Sequence, residues 1–202
     1  MSDRRYLWLR RLHSFLGFFP FAIFLIQHFT FNSFIFKSPQ AFDNLVKTTQ
    51  EFPLIIFLEV GLLLLPIAFH ILLGFVIMYS GSANVTSYNT YRNWMYLMQR
   101  VTGFIAVPFL LYHVWMTRMQ AVFTGHHVTA SYMHDYFSTG GVKTFYIIGI
   151  LAATFHMANG IATMLITWGI TASKRSQNIV SMTSWVLFLG MALWGISLAF
   201  AF

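Results

Sequence analysis

The sequence predicts an all-α fold: an integral membrane bundle of five transmembrane helices, with the N-terminus cytoplasmic and the C-terminus outside. Three observations predict it. Hydrophobic residues make up 57% of the chain and charged residues only 8%, whereas a soluble domain carries about a quarter charged residues. Five apolar stretches are each long enough to cross a bilayer core, which takes about 20 residues as a helix. Lysine and arginine gather toward the ends of those stretches, where the positive-inside rule puts them.

The first span runs from Leu12 to Phe36, the second from Leu54 to Tyr79 and the third from Trp94 to Met119. The fourth runs from Val142 to Trp168 and the fifth from Val180 to Phe202. The segments between them, Lys37 to Pro53, Ser80 to Asn93, Gln120 to Gly141 and Gly169 to Asn178, read as loops of polar or turn character. No internal repeat or low-complexity stretch divides the chain, so residues 1–202 read as one bundle domain. The first apolar stretch is long and lacks a small-residue cleavage site, so it reads as a retained span and not a cleavable signal.

Orientation follows from the basic residues. With the N-terminus inside, the cytoplasmic side holds Arg4, Arg5, Arg10, Arg11, Arg92, Arg100, Lys174 and Arg175, and the other side holds Lys37, Lys47, Arg118 and Lys143. Eight against four favours that direction,. The net charge of +7 is therefore topological and does not mark a nucleic-acid surface. There is no cysteine, which excludes disulfides, thiolate metal sites and iron–sulfur clusters within the chain.

Four of the eight histidines lie inside spans: His28, His70, His113 and His156, one on each of the first four helices. An ionisable residue inside a membrane marks a candidate functional site. A single one is as easily an interhelical hydrogen-bonder; four, one per helix, strain that reading. At about 1.5 Å of rise per residue, His28 lies about 25 Å beyond Arg11 and His113 about 28 Å beyond Trp94, both in the outer half. The second and fourth helices run the other way. His70 lies about 25 Å from the outer edge and His156 about 20 Å, both in the inner half.

The four thus sort into two facing pairs at two depths. Two imidazoles at one level suit a flat macrocycle between them, with bis-imidazole ligation of a haem iron. Without cysteine, such haems are held non-covalently. Gly74 and Gly160 each follow a histidine by four residues, on the same helix face one turn along, and are expected to give a porphyrin room. Small-residue packing between membrane helices explains either one alone. His126, His127 and His134 read as solvated loop residues. His13 reads as too shallow to share a level with His70.

The resemblance to a known family is carried by Arg10-Arg11-Leu12-His13-Ser14, Gln27-His28, His70 and Arg92-Asn93-Trp94. It continues in Gln99-Arg100-Val101-Thr102-Gly103, His113-Val114-Trp115, Phe155-His156-Met157-Ala158-Asn159-Gly160, Thr167-Trp168-Gly169-Ile170-Thr171 and Arg175-Ser176-Gln177. With these, nearly the whole chain resembles the single-chain, two-haem cytochrome b subunits of succinate:quinone oxidoreductases. Those subunits are the membrane anchors of succinate dehydrogenase and fumarate reductase in the bacterial cytoplasmic membrane.

The resemblance implies His70 with His156 as inner haem ligands and His28 with His113 as outer ones. It implies a flavoprotein subunit and an iron–sulfur subunit docked on the cytoplasmic face. It also implies a membrane quinone, menaquinone, as electron partner near the outer haem. The direction, succinate oxidation or fumarate reduction, is not encoded.

Other polar residues are candidates around these groups. Arg11, Arg100, Lys174 and Arg175 gather at inner helix ends, where anionic haem propionates need partners. Arg100 is the best placed, because it lies inside its span. Ser14 and Gln27 are candidate hydrogen-bond donors. Glu59 is the one carboxylate within a span and is the candidate for proton exchange with a quinone at the outer side. Two competing readings share parts of this pattern. One is a dihaem cytochrome b of a hydrogenase or nitrate reductase. The other is a metal or proton transporter, which would need carboxylates beside the histidines, where Phe, Leu, Ile and Ala stand.

Overall fold

The computed structural model describes residues 3–125 and 127–202. His126 therefore lies outside the described residues, and with it the expectation of a solvated loop histidine there. All regular structure among the described residues is helical. Five helices are long and apolar enough to cross a membrane: α1 (Asp3–Phe36), α3 (Ile55–Tyr79), α4 (Tyr91–Thr124), α6 (Val142–Thr167) and α7 (Lys174–Ala201). Two shorter helices, α2 (Pro39–Gln50) and α5 (Ala130–Ser138), stand between them.

Local chemistry sets the helix starts. Ser38 caps α2, accepting from the Ala41 N–H at 3.0 Å, with Pro39 in the first turn, where a missing N–H costs nothing. Thr129 caps α5 through the Tyr132 N–H at 3.1 Å, and Ser173 caps α7 through the Ser176 N–H at 3.1 Å. Such side chains satisfy amides that have no partner within the helix. α4 ends at Gly125, whose positive φ of 70° is the left-handed stop that glycine adopts without strain.

Three spans carry a wide π-helical turn: Gly17–Ala22 in α1, Glu59–Leu64 in α3 and Trp115–Met119 in α4. The first contains Pro20, which lacks the N–H that a regular ladder requires.

The structure lengthens the expected spans. α1 starts at Asp3 and not Leu12, α7 at Lys174 and not Val180, and α4 runs past Met119 to Thr124. The apolar stretch marks the length of helix in lipid, whereas caps and prolines mark where the helix stops. The segments Lys37 to Pro53 and Gln120 to Gly141, expected as loops, contain α2 and α5. Both helices are amphipathic and fold by packing. Phe42 of α2 and Met133, Tyr136 and Phe137 of α5 are buried in one cluster with Tyr146, Ile150 and Phe202. Asp43 accepts from the Ala130 N–H at 2.7 Å and ties the two together.

α6 is the central helix. It packs against α4, α7 and α1 and buries Ala152, Phe155, Met157, Ala158 and Ala162. Small residues permit this close approach. α3 packs chiefly on α1 and buries no residue. Its outward Leu62, Phe69, Leu72 and Val76 face where lipid would be.

Candidate functional site

A cavity of about 570 Å³ runs between α1, α3, α4 and α6. Its lining includes His28, His70, His113 and His156, together with His13. Each spanning histidine comes from a different helix. His28 and His113 stand with ring centroids 5.7 Å apart, and His70 and His156 stand 6.1 Å apart. The pairs sorted by depth in the sequence are the pairs that face each other here. Their ring planes cross at 81° and 88°.

A haem iron fits between each pair. Two metal–imidazole bonds of about 2 Å, plus the two ring radii, span about 6 Å. Turning an axial ring about its metal–nitrogen bond leaves ligation intact, so crossed planes suit it as well as parallel ones.

Glycines set the levels. A Cβ on Gly17 would strike the His70 ring, and one on Gly103 would stand 2.8 Å from His156 Cε1. His28 is about 16 Å along α1 from Gly17, and His113 about 15 Å along α4 from Gly103. The two pairs therefore lie about 15 Å apart on both helices. Gly74 and Gly160, expected to give a porphyrin room, line the same cavity. Gly74 stands next to His13 and Gly160 next to the Gln99 amide.

Three of the four imidazoles are anchored through Nδ1. His70 Nδ1–H donates to the His13 carbonyl at 2.8 Å, and His156 Nδ1–H to the Gln99 carbonyl at 3.0 Å. His113 Nδ1 pairs with the Tyr146 hydroxyl at 3.1 Å. An Nδ1–H that donates leaves Nε2 as the free lone pair, the arrangement that metal-ligating histidines use, and the two backbone carbonyls at His70 and His156 can only accept. Tyr146 packs against Tyr136 of α5; burial pushes the Tyr136 phenol up and keeps it neutral,.

His13 departs from expectation. It is stacked on His70, 4.0 Å between centroids at 17°, and so shares the inner level. The depth estimate took Arg11 as the inner edge, but α1 begins at Asp3, and the antiparallel α3 brings His70 down to meet it.

At the inner mouth Arg10, Arg100, Tyr6 and Tyr96 line the cavity. Arg100 donates to the Tyr96 hydroxyl, while its Nε is buried without a hydrogen-bond partner. An orphaned cationic donor facing a cavity is costly and fits an anionic group such as a propionate. Arg10 joins it, a residue that the sequence reading placed on the cytoplasmic side and in a family-like motif but gave no role at the site.

The other sequence candidates are placed as follows. Ser14 lines the cavity, but its hydroxyl donates to the Arg11 carbonyl at 2.9 Å and accepts from Trp168 Nε1 at 3.1 Å. Arg11 is not among the lining residues; it reaches the Thr167 carbonyl at 3.5 Å and the Trp168 ring. Lys174 and Arg175 are exposed at the start of α7, and Gln27 is not among the lining residues. Glu59 accepts from Arg118 Nε at 2.9 Å, both side chains half-buried; the ion pair joins the π turns of α3 and α4. In the outer segments His127 pairs with Gln50 at 2.7 Å and His134 with the Phe202 carbonyl at 2.6 Å.

Four spans that turn paired imidazoles into one interior cavity define a helical membrane protein with a built site for a planar, axially ligated group. The family described as succinate dehydrogenase/fumarate reductase transmembrane subunit matches over residues 78–197, and the chain belongs to it. The chain is also 37% identical, over 202 residues covering 100% of both sequences, to the succinate dehydrogenase cytochrome b558 subunit of Bacillus subtilis (strain 168). No solved structure matches it at a significant level.

Proposed function

We propose that this chain is the electron-carrying anchor of a succinate dehydrogenase or fumarate reductase complex, with two haems b and a membrane quinone as its electron partner. The observation that carries this reading is the two facing histidine pairs, at 5.7 and 6.1 Å, stacked at two depths in one cavity. His70 and His156 hold the inner iron, and His28 and His113 the outer. A haem held by these imidazole pairs would supply single-electron transfer with no ligand position left for oxygen. The name of the Bacillus relative, a cytochrome b558 subunit, supports haem b.

The chain's own residues then divide the work. Arg100 and Arg10 receive the inner propionates through charge-assisted hydrogen bonds, with Ser14 beside them. Arg11, Lys174 and Arg175 mark the cytoplasmic face, and Gln27 belongs to the surroundings of the outer pair. A flavoprotein subunit and an iron–sulfur subunit dock on that face and supply the clusters that a cysteine-free chain cannot hold. Electrons move between those clusters and menaquinone near the outer haem, where Glu59, held by Arg118, exchanges the quinone's protons. The complex sits in a bacterial cytoplasmic membrane with the N-terminus inside, and residues 1–202 act as one domain.

The test is a reduced-minus-oxidised absorption spectrum of the purified complex, with pyridine haemochrome quantitation and succinate as reductant. Two haem b per chain, reduced by succinate, is the expected result. Haem that ignores succinate would move the chain to another donor, and no haem would overturn the reading of the four histidines.

A further inference from the structure

Two residues of the family-like motifs, Gln99 and Asn159, have no part in the function proposed above, yet they stand against His156. Asn159 is only 7% exposed and lies in the middle of the central helix α6. A buried amide N–H at that depth has to find acceptors. Asn159 Nδ2 donates to two acceptors, the Met95 backbone carbonyl at 3.2 Å and Gln99 Oε1 at 2.6 Å. Gln99 Nε2 in turn donates to the His156 backbone carbonyl at 3.0 Å and lies 3.2 Å from His156 Nδ1. The Gln99 backbone carbonyl accepts from His156 Nδ1–H at 3.0 Å.

These contacts fix one another in order. A backbone carbonyl cannot flip, so Met95 decides which end of the Asn159 amide is the nitrogen. Asn159 then decides that Gln99 turns its oxygen toward α6's Asn159 and its nitrogen toward His156. With the Gln99 carbonyl as acceptor, His156 carries its proton on Nδ1, and Nε2 is left bare toward the cavity. In the opposite tautomer that carbonyl would lose its donor, and the proton on Nε2 would block any metal bond. In the first arrangement the Gln99 side-chain amide donates to the His156 backbone carbonyl, and the imidazole Nδ1–H is left to the Gln99 backbone carbonyl.

We propose that Gln99 and Asn159 are positioning residues for His156: a two-amide clasp between α4 and α6 that fixes the position and direction of one inner imidazole, beside the Gln99 backbone carbonyl that holds its Nδ1–H. The inference rests on the bis-histidine reading. Among the described residues no amide pair from two helices stands against the outer imidazoles: His113 pairs with the phenol of Tyr146, and Asn32 donates to the His28 backbone carbonyl within α1 itself. The clasp therefore acts on one haem and not on the other.

The experiment uses the purified complex with its partner subunits, and reads the low-spin EPR g-values and midpoint potential of each haem component alongside haem content. Asn159→Leu keeps the volume and removes both donors. Gln99→Met keeps chain length and removes the side-chain amide. Each is expected to shift or split the inner component in g-value and potential, to lower inner-haem occupancy about tenfold, and to leave the outer component in place. If Asn159→Leu fails to assemble, Gln99→Met carries the test.

Unchanged g-values and potentials for both components would overturn the clasp. So would equal changes in both haems, which is what general loosening of the bundle gives. Wild-type complex without haem would instead overturn the bis-histidine reading itself, so the two failures are told apart.

Discussion

The inner and outer histidine pairs are built from the same parts and held in different ways. At the inner level the anchors come from backbone: the His13 carbonyl holds His70, and the Gln99 carbonyl holds His156. Glycines press on both rings from the opposite helices. At the outer level His113 leans on the Tyr146 hydroxyl, and His28 is flanked by the Phe24 ring. That end is closed by α2 and α5, which bury aromatic side chains over it. A backbone anchor survives any side-chain substitution at its own position, whereas a phenol can be deleted. The inner site is thus fixed by backbone anchors where helices cross, with the Gln99 and Asn159 amides beside them, and the outer site by which aromatic side chains fill the gap.

The strongest way to break this comparison is to remove ligands. His70→Ala or His156→Ala should eliminate one haem component completely, and His28→Ala or His113→Ala the other, read by reduced-minus-oxidised spectra and EPR. If His28→Ala and His70→Ala removed the same component, the pairing by depth would be wrong.

Next in size is the glycine cradle. Gly103→Val puts side-chain atoms where the His156 ring stands. Overpacking of this kind costs about 1–3 kcal/mol, enough for about a tenfold or greater loss of inner haem while the outer is retained. Gly61→Ala is the control, since a Cβ there meets nothing within 4 Å and haem content should not change.

A smaller effect is expected at the half-buried ion pair. Arg118→Met leaves Glu59 without its partner and should cost about 1–2 kcal/mol of stability, measured as thermal inactivation of the solubilised complex. Glu59→Gln in the same background should recover most of that loss. On the proposed role it should also slow quinone turnover with both haems in place; unaltered turnover would remove Glu59 from the proton path.

The smallest effect is at the outer phenol. Tyr146→Phe deletes one neutral hydrogen bond, about 1 kcal/mol, and should shift the outer potential slightly without losing haem. A shift in the inner component instead would reverse the assignment of the two levels.

The five spans were readable because lipid imposes one rule on every residue that faces it, and Leu62, Phe69 and Leu72 of α3 obey it without help from any neighbour. The helix ends were less readable: Asp3 and Lys174 begin helices that extend beyond the apolar stretch into polar surroundings. α2 and α5 were not readable as membrane-type helices, because Phe42, Tyr136 and Phe137 find their burial only against each other and against α6 and the chain's last residues. The four ligand candidates were readable from depth, since the rise of a helix converts sequence number into height. Gly17 and Tyr146 were missed, and Arg10, Gln99, Gly103 and Asn159 stood only as motif residues with no role at the site. The trace they left, a polar residue and a glycine one turn apart as in His13 and Gly17 or Gln99 and Gly103, has no meaning until a partner helix is present.

The sequence by itself determined the solvent of this protein, the number of its spans and the heights of its histidines, because hydropathy and helical rise are properties of a single strand of chain. Only the tertiary structure decided which nitrogen of His70 and His156 is free, which glycine makes room for which ring, and that His13 stacks on His70. Those are properties of rotation about helix axes and of register between helices. They are settled by packing between residues as much as 57 positions apart in the chain.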